Sequence, residues 1–519
     1  GTILRLLKTV VGLQCWREKQ SGSIGLVPTM GALHAGHLSL IQRARRDNDT
    51  VVVSIFVNPL QFGANEDLDA YPRTLELDIS LCKAAGVDCI FAPTALDLYG
   101  SGFNSDTLVT VVPPPMLAQP LCGQFRPGHF DGVATVVTKL ISLIRPQRSY
   151  FGQKDAQQLA IIRQLVRDLN LSGRVIGCPI VREPDGLALS SRNKYLSGHE
   201  RQQAAILYRG LRSAKQKFKE AGVRSQHSLA RIVFQYLEAA PAIDPQYVEL
   251  VHPHTLEPLE EIETIGMLAV AAFVGSTRLI DNVVLRSRQP IIAIDGPAGA
   301  GKSTVARQLA HQLGLLYLDT GAMYRALTWY VLSQGCDPQD EVAVADLLPK
   351  CNIKLVATQS ETGPQPPDIF VNGTAVTQAI RTSEVTAQVS AVAAQGSVRQ
   401  ALVEQQMQYG VDGGVVADGR DIGTHVFPDA ELKIFLTASV EERARRRQQD
   451  LASQHQPVPE LTELAQAISE RDHKDSTREI SPLRQADDAI EVVTDSLTVE
   501  NVLDKLLTLY RETVVPGDK

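Results

Sequence analysis

Ile24-Gly25-Leu26-Val27-Pro28-Thr29-Met30-Gly31-Ala32-Leu33-His34-Ala35-Gly36-His37 begins as an apolar strand, crosses a glycine-containing loop and leads into an amphipathic helix. A strand, a Gly loop and a helix N-terminus together offer backbone N–H groups and the positive end of a helix dipole to a phosphate. The two histidines stand three apart, which predicts that they share one helical face, where both imidazoles can donate to phosphate oxygens. An H-x-G-H string is expected by chance in only about 0.02 of chains of this composition. The competing reading is purely structural, with two half-buried imidazoles capping a loop.

Working outward, strand-like runs at 24–28, 51–57 and 87–92 alternate with helical stretches at 37–46 and 74–85, the pattern of a parallel sheet with helices on both faces. A second α/β unit is expected after Pro179, helical through 197–240 and then in short strands at 246–251, 267–274 and 277–282. The polar stretch Arg286-Ser287-Arg288-Gln289 separates this half from a second nucleotide-fold opening. There the strand Ile291-Ile292-Ala293-Ile294-Asp295 runs into Gly296-Pro297-Ala298-Gly299-Ala300-Gly301-Lys302-Ser303-Thr304, followed by a helical stretch at 305–313. This satisfies G-x-x-x-x-G-K-[ST] in its required context: backbone N–H groups wrap the phosphates, Lys302 reaches the β and γ phosphates, and Ser303 is the magnesium ligand. The loop alone leaves ATPase, GTPase and small-molecule kinase open. Segment 351–376, with Val371-Asn372-Gly373-Thr374, predicts antiparallel strands joined by turns, inserted on a kinase-like core.

Composition sets the outer bounds. A chain of 519 residues predicts about three to five compact units. With 44% hydrophobic and 21% charged residues, and ordinary Gly and Pro usage, disordered and collagen-like classes are excluded. A net charge of -7 gives no electrostatic reason to expect a nucleic-acid polymer or an anionic membrane as partner. The uncharged stretches 20–42 and 107–125 are broken by polar residues or prolines, and the apolar run 267–274 is too short to cross a bilayer. The first residues carry no signal-peptide core. Seven scattered cysteines without a CxxC pair suggest neither a disulfide framework nor a zinc site, so a cytoplasmic protein with reduced thiols is expected.

Further motifs in the first half are Asn58-Pro59-Leu60-Gln61-Phe62, Tyr71-Pro72-Arg73, Arg126-Pro127-Gly128-His129-Phe130, Phe151-Gly152-Gln153-Lys154-Asp155-Ala156-Gln157-Gln158 and Asp185-Gly186-Leu187-Ala188-Leu189-Ser190-Ser191-Arg192-Asn193. In this order they resemble the pantoate:β-alanine ligase (pantothenate synthetase) family over about residues 2–285. The resemblance implies an HxGH nucleotidyltransferase-type Rossmann domain (1–178) with a small α/β C-terminal subdomain (179–285). It implies a two-step reaction, in which pantoate attacks the α-phosphorus of ATP to give pantoyl adenylate and pyrophosphate, and β-alanine then displaces AMP. By carry-over, Met30, Gly31, Ala32, Leu33, His34, Ala35, Gly36 and His37 line ATP, with His37 catalytic and His34 its phosphate-binding partner. Gly152, Gln153, Lys154, Asp155, Val181, Leu189, Ser190, Ser191 and Arg192 complete that site, and Lys154 and Arg192 supply cations for pyrophosphate. Gln61 and Gln158 hold pantoate and are the residues the resemblance implies for β-alanine as well. Ser190-Ser191-Arg192 stands where related synthetases carry a loop that closes on triphosphate. Gln153 departs from the glutamate common in the family.

In the second half, Asp319-Thr320-Gly321-Ala322-Met323-Tyr324-Arg325, Ile380-Arg381-Thr382, Ser390 with Arg399, Asp418-Gly419-Arg420-Asp421-Ile422-Gly423-Thr424 and Glu470-Arg471-Asp472-His473-Lys474-Asp475 followed by Arg478 resemble bacterial cytidylate kinase over about residues 290–512. This implies a P-loop nucleoside monophosphate kinase domain (290–519, after a linker at 286–289) that transfers phosphate from ATP to CMP or dCMP. Arg325, Arg420 and Arg478 would hold the acceptor phosphate, Arg471 and Asp475 the sugar, and Ser390, Arg399 and Asp421 cytosine, with Asp418 in the same acceptor set. A carboxylate suits the N4 amine of cytosine and repels the oxygen of uracil. The arginine-rich stretch 441–447 and 471–478 reads as a lid over the transferring phosphate, against the competing reading of a solvated helix face. Lys474 replaces an arginine often found in the family. Both resemblances imply magnesium with ATP and small-molecule substrates only; the ligase resemblance implies homodimerisation through that half, the kinase resemblance a monomer. The alternative is a nucleotide-sensing module with one half catalytically silent.

Overall fold

The computed structural model describes residues 3–104, 106–358, 360, 362–477 and 482–514. The chain divides into two compact units, Gly1–Ser287 and Arg288–Lys519.

The first unit is built on strands β1 (Arg5–Leu7), β2 (Ile24–Thr29), β3 (Thr50–Ile55), β4 (Cys89–Phe91), β5 (Arg148–Gly152) and β6 (Arg174–Cys178). They form a parallel sheet in the order β1-β4-β3-β2-β5-β6. Alternate side chains feed opposite layers, as period-2 strands require. Leu26, Val52 and Phe151 join one buried cluster, and Val27, Val51, Val53 and Tyr150 the other. The chain leaves β2 toward β3 on one side while β5 flanks it on the other, so the connections after β2 and β5 diverge and open a crevice at the carboxyl ends.

The latter part of this unit carries helices Ile206–Ala221 and Gln226–Glu238 against an antiparallel sheet of β7 (Ile243–Val251), β8 (Ile265–Val274) and β9 (Thr277–Arg286). β7 and β9 extend beyond the expected 246–251 and 277–282, because ladder pairing with the ten-residue β8 satisfies their backbone along its whole length. Arg182 pairs bidentately with Asp281 (2.6 and 2.9 Å) and stacks on Tyr208 at 3.8 Å, tying the segment after β6 to β9. The polar stretch 286–289 is anchored at both ends. The Ser287 hydroxyl donates to the Glu263 carbonyl (2.8 Å) in the first unit, and Arg288 pairs with Glu431 (3.0 Å) in the second.

The second unit has a parallel sheet of β10 (Ile291–Asp295), β11 (Leu316–Leu318), β15 (Val415–Gly419), β16 (Leu432–Thr437) and β17 (Ile490–Val493), ordered β11-β15-β10-β16-β17. The small antiparallel sheet β12 (Ile353–Val356), β13 (Asp368–Val371) and β14 (Thr374–Ala375) is the insertion expected at 351–376. Its turn takes positive φ at Asn372 (49°) and Gly373 (84°), which an Asn-Gly pair adopts at little cost. Ile291 and Ala293 face one core cluster, Ile292 and Ile294 the other. No helix among the described residues is long and apolar enough to cross a membrane.

Burial raises the pKa of Asp281 despite Arg182, so the pair itself adds little net stability, yet removing one member strands the other. Asp281→Ala should therefore destabilise the first unit by about 3 kcal/mol, read as a lowered midpoint of that unit's thermal transition with the second unit's transition unmoved.

Candidate active sites

The helix Ala35–Asp47 begins directly after β2's loop, and its start is capped by histidines. His34 is the N-cap, in extended conformation (φ −128°), and its Nδ1 accepts the Gly36 N–H (3.0 Å). His37 Nδ1 accepts the His34 N–H in return (3.2 Å), which sets the two rings 4.0 Å apart. The expectation of two imidazoles on one helical face is thus corrected, since His34 precedes the helix and reciprocal capping, not helical period, brings the rings together. Capping and ligand contact are compatible. With both Nδ1 atoms accepting backbone N–H groups, the neutral rings carry their protons on Nε2 as donors. Burial pushes His34 down to about 4, helped by Lys154, and His37 down to about 3, helped by His34. Both are neutral at pH 7.

These rings line a cleft of about 230 Å³ at the carboxyl ends of β2 and β5. Of the loop residues expected there, Met30, His34, Gly36 and His37 line it, whereas Gly31, Ala32, Leu33 and Ala35 do not. The Ala32 and Leu33 N–H groups donate to the buried Asp78 carboxylate (3.0 Å each), so they are not offered to a phosphate. Asp78 lies far along the chain, on helix Leu75–Ala84, and no local signal marks it. Gly152, Lys154 and Asp155 line the cleft after β5, joined by Val181, Leu189, Ser190, Ser191 and Arg192. Gln153 is not a lining residue. Instead its carbonyl and that of Lys154 accept from Asn282 Nδ2 (3.0 and 3.2 Å), so β9 pins the turn that carries Lys154.

Gln61 and Gln158 both line the cleft. Gln61 is held by Asn58 Nδ2 (3.1 Å), and His129 Nδ1 lies 2.8 Å from its carbonyl. Arg126 can only donate, and its Nη1 is 3.3 Å from His129 Nε2, so that nitrogen accepts and Nδ1–H donates to Gln61. Arg192 grips Asp67 through two bonds of 3.1 Å. Burial pushes Asp67 up, but Arg192 outweighs it and holds the carboxyl below its usual range. Asn58, Tyr71, Arg126 and His129 also line the cleft; their motifs are visible in the sequence, but no role was read from them.

In the second unit, Gly301 (φ 86°) caps the helix Lys302–Leu313, which starts three residues before the expected 305. Gly296 passes so close to β16 that an added Cβ would lie 2.0 Å from the Leu436 carbonyl, which requires glycine there. Lys302 folds over the 296–304 loop to the Pro297 carbonyl (3.1 Å), and burial lowers its pKa to about 8. Ser303 Oγ donates to Asp418 (2.9 Å), which also accepts from the Tyr317 hydroxyl (2.6 Å). Asp418, grouped with the CMP-binding residues in the sequence, therefore sits against the phosphate loop. The reason is parallel pairing of β10 with β15, which sets Ile294 beside Asp418. Asp295 accepts the Ile422 and Gly423 N–H groups (2.8 Å each) and is pushed up to about 7 by burial.

The remaining kinase residues are spread over four helices and the loop after β15. Arg325 donates to Thr386 (2.9 Å) and the Ile380 carbonyl (3.3 Å). Ser390 lies on helix Ser383–Ala393, and Arg399, on helix Gly396–Asp412, donates to the Ala393 carbonyl (2.8 Å). Arg420 pairs with the fully buried Asp475 (2.9 Å), linking the loop after β15 to helix Leu461–Thr477, which also carries the exposed Arg471. Asp421 is buried. Arg478 lies outside the described residues. Half of the arginine run departs from the reading as a solvated helix face. Arg443 is buried, pairs with Asp472 (2.9 and 2.5 Å) and donates to the Ala298 carbonyl (3.2 Å), while Arg446 reaches the Gly299 carbonyl (3.3 Å). These two brace the phosphate loop, while Arg445 and Arg447 are exposed. Among the described residues, no group of three or more His, Cys, Asp or Glu side chains could hold a metal ion.

Residues 5–284 match the family model for pantoate-beta-alanine ligase, and residues 292–512 that for cytidylate kinase. A bifunctional pantoate ligase/cytidylate kinase of a Nostoc species is 56% identical, covering 98% of this chain and 99% of its own. That of Synechococcus elongatus is also 56% identical, over 98% and 96%. The crystal structure of pantothenate synthetase from Thermus thermophilus is 46% identical with a TM-score of 0.51, covering 54% of this chain and 98% of that one. With both units matched in order and relatives aligned along nearly the whole chain, the chain belongs to the bifunctional pantoate ligase/cytidylate kinase family.

Proposed function

We propose that the first unit joins pantoate to β-alanine at the histidine-capped cleft and that the second phosphorylates CMP and dCMP at the 296–304 loop. The neutral imidazole pair, with both Nε2–H groups available at the crevice between β2 and β5, carries the ligase assignment. Pantoate, held by Gln61 and Gln158, is already a carboxylate at pH 7, so its attack on the α-phosphorus requires alignment and charge neutralisation rather than a base. His37 and His34 donate Nε2–H to the oxygens on which charge grows. Lys154 and Arg192 meet the departing pyrophosphate, Arg192 exchanging Asp67 for phosphate oxygens as the 190–192 loop closes. β-Alanine then attacks through its unprotonated amine, a C–N bond forms, the acyl–oxygen bond to AMP breaks, and the nitrogen's surplus proton passes to solvent.

In the second unit Lys302 and the loop N–H groups hold the ATP phosphates, and Arg325, Arg420 and Arg478 hold the acceptor phosphate. Arg471 and Asp475 meet the sugar, and Ser390, Arg399 and Asp421 meet cytosine. The Ser303–Asp418 contact supports moving Asp418 from the acceptor set to the metal. Two hard oxygen donors beside a triphosphate suit magnesium, which would be held by these side chains with ATP and would neutralise phosphate charge there. Asp155 is the carboxylate lining the ligase cleft. The same reading takes 1–178, 179–285 and 290–519 as domains around the 286–289 joint. It also takes the cytoplasm as the compartment and a homodimer formed through the ligase half, where Val109, Val112 and Met116 are 96%, 67% and 70% exposed.

His37→Ala should lower pantoyl adenylate formation by at least about 100-fold while CMP phosphorylation stays near normal, and Lys302→Ala should do the reverse; parallel assays of both products on each variant check this. Asp418→Asn should raise the magnesium concentration for half-maximal kinase rate by about 10-fold, one lost charged ligand being of that order, with KM for CMP nearly unchanged. A residue reading CMP would move KM instead. Because both histidine pKa values lie near 4 or below, kcat/KM for adenylation should show no histidine limb between pH 6 and 8. The stability these neutral rings contribute has the corresponding sign, being present above the unfolded value of about 6.5 and lost as pH falls toward 4.

A further inference from the structure

Asp295 ends β10, the central strand of the second unit's parallel sheet, and the four residues before it on that strand are fully buried. Parallel pairing sets it beside Gly419 on β15 and Phe435 on β16. The next residue, Gly296, opens the phosphate loop, and its N–H donates to the Gly419 carbonyl (3.3 Å). The Asp295 carboxylate is 4% exposed and commits both oxygens to backbone, Oδ1 accepting the Ile422 N–H and Oδ2 the Gly423 N–H, each at 2.8 Å. Those N–H groups start a single π-helical turn, Ile422–Val426, which has no side-chain cap of its own. The first N–H groups of a helical turn have no partner within it, and here the partner stands 127 residues away in the chain. Gly423 admits it, since a Cβ there would lie 3.3 Å from Asp295 Oδ2 and 3.2 Å from Lys433 Cδ.

Asp421 immediately precedes this turn, and its carbonyl accepts the His425 N–H (2.8 Å). The direction in which its side chain leaves the backbone is therefore set by the turn, and the turn is held by Asp295 from a strand buried on both faces. Buried and with both oxygens engaged, Asp295 reaches a substrate only through that turn. A carboxylate that reads a base discriminates by facing the N4 amine of cytosine and repelling the oxygen of uracil, and such discrimination is lost when the reader is misplaced. We propose that Asp295 is a specificity-positioning residue of the kinase: it fixes the turn that aims Asp421, and so sets the preference for CMP over UMP from the root of the ATP loop. The inference rests on the reading of Asp421 as the group that meets cytosine. A cap with a purely structural role would instead serve the phosphate loop and the turn alike.

The test uses the full chain and reads the ratio of kcat/KM for CMP to that for UMP, a quantity unaffected by the fraction of molecules folded. Asp295→Asn keeps the shape and one acceptor but sets an amide donor against the other N–H. It should lower the ratio about 10-fold, the order of one lost charge-assisted bond. KM for ATP should stay within about threefold of the parent, because the phosphate loop keeps its contacts to Lys302, Arg443 and Arg446. Asp421→Ala should lower the ratio by at least as much, and adding Asp295→Asn to it should lower the ratio no further, as expected when one residue acts through the other. Burial pushes the Asp295 carboxyl up to about 7, so a neutral replacement relieves a buried charge; Asp295→Ala, which lacks the opposed amide, repeats the measurement where the asparagine variant folds poorly. An unchanged ratio in the Asp295 variants, a KM for ATP that rises as far as that for CMP, or a further drop in the double variant would overturn the proposal. An unchanged ratio in Asp421→Ala would instead overturn the reading of Asp421 as the cytosine contact, and this inference with it.

Discussion

A parallel sheet cannot be closed by tight turns; each strand must be reached by a crossover, and where crossovers run to opposite sides of one strand the connections splay apart. Both units depend on that constraint. In the first, β2 lies between β3 and β5, and the histidine loop and the Lys154 turn meet over the gap. In the second, β10 lies between β15 and β16, which brings Asp418 to Ser303 and Leu436 against Gly296. Neither site could exist on one segment, because each needs groups that follow different strands.

The electrostatics at the two sites share a logic. Polyphosphate invites cations, but a cation already buried carries a desolvation penalty unless an anion stands nearby. Arg126, Arg192, Arg420 and Arg443 are each paired with a carboxylate. They are thereby oriented before any ligand arrives. Where pairing would compete with donation, burial keeps the group neutral instead, as at His34 and His37. Arg443 and Arg446 brace carbonyls of the phosphate loop, so cations in an arginine-rich helix serve the loop's shape as well as any charge over it.

Support from outside the immediate site recurs in both units. Asp78 takes two N–H groups of the histidine loop, Asn282 takes two carbonyls of the Lys154 turn, and Asp295 takes two N–H groups of the 422–423 turn. Each fixes a backbone that would otherwise adopt several conformations, and fixed geometry is what catalysis by alignment requires.

What the sequence by itself determined was whatever neighbouring residues encode. The two strand–Gly loop–helix openings, the strand–helix alternation, the Asn372-Gly373 turn and the polar joint before Ile291 are short-range signals of period, φ preference and polarity, and they were legible without a partner. The ordered motifs likewise disclosed both families. Tertiary structure alone decided which donors remain for a ligand. The Ala32 and Leu33 N–H groups are removed by a carboxylate more than 40 residues away, and Asp418 is drawn to Ser303 across more than 100. These outcomes depend on which strands lie side by side, and strand order is set by burial of the whole sheet rather than by any local run of residues.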